Sequence, residues 1–255
     1  MPTQTSKSAG EISYQPDADR NRQQDLFAIA TSQMPLYGMH WHRHSMVTMN
    51  VGALSRLLYY DSLYRQIVEV PGVICEFGVQ WGATLAALIN LRSIHEPFNI
   101  GRIIFGFDTF EGFVGLDPKD GNAGSIGDYS STSGYETRLE RTLELLEAYA
   151  PASHFKKFQL IKGDASLTID PWLKGNPHAV ISMAIFDMDL YKPTKDVLEK
   201  ILPRLTKGSL LVFDELNSPF FPGETTALAE VLGLGNLKLK RTPIQPYCAW
   251  AVYGD

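Results

Sequence analysis

A chain of 255 residues with 23 Lys+Arg against 28 Asp+Glu carries a net charge of −5 and is long enough for one large core. That acidic balance argues against nucleic acid as the main partner, which favours a basic face. Cys75 and Cys248 are too far apart and too isolated for a disulfide framework or a zinc ribbon.

Residues 1–23, rich in Ser, Thr, Gln, Asp and Asn and without an apolar period, read as a mobile leader with no secretory pattern. From Asp25 to Tyr64 the pattern is helical: Leu26, Ile29 and Ala30 share a face, and Met46, Met49, Leu54, Leu57 and Leu58 continue it after a turn at 34–38. Residues 24–70 are therefore expected to form a helical N-terminal cap or lid, closed by Pro71-Gly72. Residues 71–255 then alternate between strand and helix. Strands are predicted at 73–79, 102–108, 158–164, 179–189 and 208–216, and helices at 83–94, 135–149, 193–205 and 224–232. Segments 237–242 and 248–253 look like a closing antiparallel pair. This order predicts an α/β fold, a doubly wound, Rossmann-like sheet of seven strands. No apolar run reaches the ~20 residues of a bilayer span, so a cytoplasmic protein without membrane contact is expected. The stretch 109–134 holds six glycines and is too long for a simple connection, which predicts a functional loop covering a ligand.

In an open α/β sheet, ligands bind outside the C-terminal ends of the strands. Each of the five expected parallel strands carries a carboxylate near that end: Glu76, Asp108, Asp164, Asp187 with Asp189, and Asp214 with Glu215. Singly, such a residue often only caps the next helix; five on one rim are harder to explain that way. The first turn has Gly78 and Gly82 but not the G-x-G-x-x-G dinucleotide fingerprint. Asp108 suits a ribose diol, and Glu76 would repel a diphosphate. A cationic nucleoside without phosphate, S-adenosylmethionine, fits better, with Asp164 toward its adenine. Asp187, Asp189, Asp214 and Glu215 come from adjacent strands, so their carboxylates can converge. Carboxylates that close repel one another unless a cation joins them, and all-oxygen donors suit Mg²⁺, or Ca²⁺ or Mn²⁺, over Zn²⁺. The competing reading is an ion pair with Lys192, Lys195 or Arg204.

Four motifs in order resemble the macrocin O-methyltransferase family: Glu76-Phe77-Gly78-Val79-Gln80-Trp81-Gly82-Ala83-Thr84, Gly106-Phe107-Asp108-Thr109-Phe110-Glu111-Gly112-Phe113, Phe186-Asp187-Met188-Asp189-Leu190-Tyr191-Lys192-Pro193-Thr194, and Pro203-Arg204-Leu205 leading to Phe213-Asp214-Glu215. The resemblance covers roughly residues 70–232. It implies a class I S-adenosylmethionine-dependent enzyme methylating a hydroxyl of a sugar or natural product with Mg²⁺. The cofactor set is then Glu76, Gly78, Gln80, Trp81, Thr84, Asp108, Phe110, Gly163, Asp164 and Asp187, and the metal set is Asp187, Asp214 and Glu215. Two departures stand out. The family more often has Asp-Asp where this chain has Asp214-Glu215, and the segment 216–224 differs from antibiotic-tailoring members.

For the base that takes the hydroxyl proton, His95, His154 and His178 fall at the wrong end of the sheet. Asp189 at the mouth and His42, in the cluster Met39-His40-Trp41-His42-Arg43-His44, are the two candidates. The alternatives are a catalytically silent partner protein that binds S-adenosylmethionine and, behind it, a nicotinamide-dependent oxidoreductase. The expected partner is a small hydroxylated acceptor, and self-association is left open.

Overall fold

The computed structural model describes Ser6–Ser8, Glu11–Ser13 and residues 17–255, which divide into two compact units, one ending at Leu58 and one running from Tyr59 to Asp255. In the first, β1 (Ser6–Ser8) pairs antiparallel with β2 (Glu11–Ser13). Helix α1 (Asp17–Gln33), a 3-10 stretch (Met34–His40), α2 (Trp41–His44) and a second 3-10 turn (Ser45–Thr48) follow. Residues 17–23, expected in the leader, are thus the first turns of α1. They lack an apolar face, but Ala, Arg and Gln favour a helix without one. The other positions of that leader, 1–5, 9–10 and 14–16, lie outside the described residues. The expected boundary at 70 also moves, because α3 (Val51–Ile67) crosses the division. Its later residues Tyr59, Tyr60, Leu63, Tyr64 and Ile67 are fully buried members of the second unit's core.

The second unit is a seven-stranded sheet in the order β5-β4-β3-β6-β7-β9-β8. Its strands are β3 (Val73–Phe77), β4 (Ile104–Asp108), β5 (Phe158–Lys162), β6 (Ile181–Phe186), β7 (Leu205–Phe213), β8 (Lys240–Thr242) and β9 (Gln245–Val252). The first five are parallel, and β9 joins β7 and β8 antiparallel. The predicted doubly wound sheet is present. Successive residues along a strand face opposite sides, so one face packs Ile74, Ile104, Met183, Ile185, Leu210 and Val212 against α3, α4 (Ala83–His95) and α5 (Tyr135–Glu147). The other packs Cys75, Phe77, Phe107, Phe186 and Phe213 against α6 (Ala165–Gly175), α7 (Tyr191–Ile201) and α8 (Gly223–Val231). Helix α6 is absent from the sequence reading; Pro171 inside it interrupts the helical signal. No helix among the described residues is long and apolar enough to cross a membrane.

Register fixes the rim. Phe77 pairs with Phe107 on one side and Phe186 on the other, and Phe186 pairs with Phe213. Their rings stack in a row, with centroids 4.8 Å, 5.5 Å and 5.2 Å apart. Each ring is followed by a residue of the rim: Gly78, Asp108, Asp187 and Asp214. The ladder continues into these positions, with Asp187 N donating to Phe77 O (2.8 Å) and Asp214 N to Phe186 O (3.0 Å).

The opposite end is tied by buried charge. Arg102 donates to both carboxylate oxygens of Glu96 (2.7 Å and 3.0 Å), to the carbonyls of Ile67, Val70 and Gly72, and to Ser182 Oγ. Tyr64 OH donates to Glu96 as well (2.7 Å), so one guanidinium joins α3, its linker, β6 and the end of α4. Removing one partner of such a pair leaves a buried charge uncompensated. Arg102→Met is expected to lower unfolding free energy by about 3–5 kcal/mol. Urea denaturation measures it, and a loss under about 1 kcal/mol would show that the linkage is not needed.

Candidate active site

Strand order reverses between β3 and β6, since β3 leads to β4 and β5 on one side and β6 to β7 on the other. This switch point is where a doubly wound sheet opens a crevice. Here the two strand ends touch through backbone: Gly78 has φ +92, and a Cβ on it would overlap the Asp187 carbonyl. Only glycine tolerates both that φ and that approach.

Asp108 holds the turn above β3. Its Oδ2 accepts from Val79 N (2.6 Å) and Gln80 N (2.8 Å), and its Oδ1 accepts from Phe110 N (2.5 Å). Three of about four acceptor positions on the carboxylate are thereby used. Gln80 (φ 49) and Phe110 (φ 57) sit in the left-handed region, a strain such contacts must hold in place. Thr84 and Glu76 are buried, while Trp81 is exposed and meets Tyr135 edge-on with centroids 4.8 Å apart. Asp164 caps α6: its Oδ1 accepts from Ser166 N (2.8 Å) and Ser166 Oγ (2.5 Å). For this residue the capping role weighed in the sequence is present, beside Gly163, whose N–H donates to Asp108 O (2.8 Å).

Past β6 and β7 the acids cluster. Asp189, nine-tenths buried, takes a left-handed φ of 62. Asp214 accepts from Cys248 Sγ at 3.0 Å. Glu224, which the sequence reading passed over, joins them from the first turn of α8: it is fully buried, and its Oε1 accepts from Glu215 N at 3.1 Å. Its Oε2 is buried without a hydrogen-bond partner. Burial first, then the charges of Asp189, Asp214 and Asp187, push the Glu224 carboxyl well above the usual range. Its only signal in the sequence is an acid at a helix start after Pro222-Gly223, a pattern equally at home on a surface. His42, the other candidate base, is exposed in α2 of the first unit.

Carboxylates whose charges act on Glu224, with the Glu224 Oε2 buried and without a hydrogen-bond partner, are hard oxygen donors of the type that suits a divalent cation. As the side chains stand, no group of three or more His, Cys, Asp or Glu among the described residues is arranged to hold a metal ion.

The stretch 109–134 is not a structureless cover. It contains a 3-10 turn (Pro118–Asp120) and internal bonds such as Phe113 N to Asp128 O (3.0 Å). Phe113 and Tyr129 pack with Phe221 from the β7–α8 connection.

A sheet wound in this order, closed by β9 between β7 and β8 and opened at an acidic switch point, is the class I methyltransferase fold. The family profile of macrocin-O-methyltransferase (TylF) matches residues 19–225, and the chain belongs to that family. The crystal structure of CalS11, a calicheamicin methyltransferase, is 38% identical with a TM-score of 0.91 over 94% of this chain and 95% of that one. The apo structure of CalS11, described as a TDP-rhamnose 3'-O-methyltransferase in calicheamicin biosynthesis, gives 36%, 0.83, 94% and 96%. An 8-demethyl-8-(2,3-dimethoxy-alpha-L-rhamnosyl)-tetracenomycin-C 4'-O-methyltransferase of Streptomyces olivaceus is 26% identical over 152 residues. That match covers 57% of this chain and 53% of the relative, so the chain spans about half the length of that protein. Membership in a methyltransferase family sets the oxidoreductase alternative aside.

Asp108→Ala deletes the acceptor of three backbone donors at the β3 turn. S-adenosylmethionine affinity is expected to fall by at least the worth of one charge-assisted bond, about 1.5–3 kcal/mol. Isothermal titration reads it, and wild-type affinity would remove Asp108 from the cofactor site.

Proposed function

We propose that this protein transfers the methyl group of S-adenosylmethionine to a hydroxyl of a deoxysugar, carried on a nucleotide or on a natural product. The observation that carries the reading is the group of aspartates at the switch point: Asp187 and Asp214 continue the register of β6 and β7 next to the Gly78 turn, and Asp189 follows Asp187 by two residues. The relatives that act on rhamnose and rhamnosyl groups favour a 6-deoxysugar acceptor.

In this reading the Glu76–Gly82 turn, with Gln80, Trp81 and Thr84, receives the amino-acid end of the cofactor. Asp108 and Phe110 border its ribose, and Gly163 and Asp164 border its adenine. When bound, the cofactor supplies an electrophilic methyl on a sulfonium whose charge is lost on transfer. Asp189 takes the acceptor's proton as its oxygen attacks in line. Asp189 is buried and its backbone is held at φ 62, which restricts the positions its carboxylate can take. Asp187, Asp214 and Glu215 would hold Mg²⁺, which as a Lewis acid lowers the cost of forming the attacking oxygen. Much of the remaining acceleration is positioning.

The test is methyl transfer to a panel of nucleoside-diphosphate deoxysugars and rhamnosylated aglycones, followed by mass spectrometry with and without EDTA. Asp189→Asn is expected to lower kcat by about 10²–10⁴, the usual worth of a general base, with cofactor affinity kept. Full wild-type turnover in excess EDTA would remove the metal from the reading, and turnover retained in Asp189→Asn would leave His42 as the base. A wild-type protein that binds the cofactor but methylates nothing in the panel would favour the silent-partner alternative.

A further inference from the structure

Helix α7 starts two residues after Asp189, and its N-cap residue, Leu190, makes no side-chain cap. Its first amide, Tyr191 N, is buried, where a missing partner is costly. The partner comes from 71 residues earlier in the chain: Asp120 Oδ1 accepts from Tyr191 N at 2.5 Å. The other oxygen, Oδ2, accepts from Asp117 N at 2.6 Å, closing the Pro118–Asp120 turn. Asp120 is itself nearly fully buried. A third element closes on the same point. A Cβ on Gly223, the first residue of α8, would overlap Asp120 Oδ1 and come within 2.5 Å of Tyr191 N.

Asp120 therefore meets, at one carboxylate, the middle of the 109–134 stretch, the helix that begins just after Asp189, and the residue before Glu224. We propose that Asp120 is a positioning residue for methyl transfer: as a long-range cap on α7 it holds the Asp187–Asp189 turn and the start of α8 in one register. This rests on the acid cluster being the reaction site. It divides the 109–134 stretch into two arms either side of a fixed point, so any closing motion belongs to the arms. Outside this cap the same turn is latched to α8 by Lys119 Nζ on Glu230 Oε1 (2.5 Å), an exposed pair that contributes little by comparison.

The experiment compares Asp120→Ala, Asp120→Asn, Gly223→Ala and Lys119→Ala with wild type by hydrogen–deuterium exchange, cofactor titration and steady-state kinetics. In Asp120→Ala, loss of a cap predicts about 10-fold faster exchange at Tyr191 and across 187–190. There kcat falls by a comparable or larger factor, while S-adenosylmethionine affinity stays within about twofold. Asp120→Asn, which keeps one acceptor oxygen, recovers part of both losses. Gly223→Ala reproduces the Asp120→Ala pattern with the carboxylate still present, and Lys119→Ala matches wild type. Wild-type exchange across 187–191 in folded Asp120→Ala would overturn the proposal, as would a loss confined to global melting temperature. The exchange measurement needs no acceptor, so it judges the cap even if the proposed reaction fails.

Discussion

Four phenylalanine rings stacked across β4, β3, β6 and β7 set the geometry on which everything at the rim depends. Side chains alternate faces along a strand, so slipping any of these strands by one residue would drive its ring into the aliphatic core on the opposite face and turn the next residue away from its neighbours. Large aromatic surfaces make that slip expensive. Gly78, Asp108, Asp187 and Asp214 are consequently held level with one another. Glycine falls on the strand where the backbone of another must pass close, and carboxylates fall on the other three.

The two ends of the sheet solve opposite electrostatic problems. At the N-terminal end buried charges are matched: Arg102 with Glu96, and Arg92 and Lys157 with Glu147. Those contacts tie helices to strands and leave the sheet a rigid platform. At the C-terminal end, like charges are gathered, and three non-glycine rim residues, Gln80, Phe110 and Asp189, have positive φ. Strained backbone of this kind persists only where the surrounding structure holds it, and it clusters at ligand sites.

Much of this was legible in the sequence because its signals are local. The alternation of apolar runs with helical periods gave the sheet, and Phe-Asp at the ends of three of those runs (Phe107-Asp108, Phe186-Asp187, Phe213-Asp214) marked the rim. What escaped was either locally disguised or non-local. Helix α6 was hidden by Pro171, and the first turns of α1 by the absence of an apolar face. Asp164 looked the same as a ligand or as a cap, and recognising the cap needed Ser166 in space. Glu224 and Asp120 acquire their meaning from Glu215 and Tyr191, contacts that no periodicity encodes.

In the proposed function, cofactor and acceptor meet at the switch point beside Gly78, roofed by Asp108 and bordered by Asp187, Asp189 and Asp214. The most direct measurement is a crystal structure of the protein with S-adenosylhomocysteine and a nucleoside-diphosphate deoxysugar. The sulfur is expected over the Gly78 turn, with one sugar hydroxyl within hydrogen-bond distance of Asp189. A sulfur bound elsewhere, or a sugar whose hydroxyls all lie away from the aspartates, would contradict it.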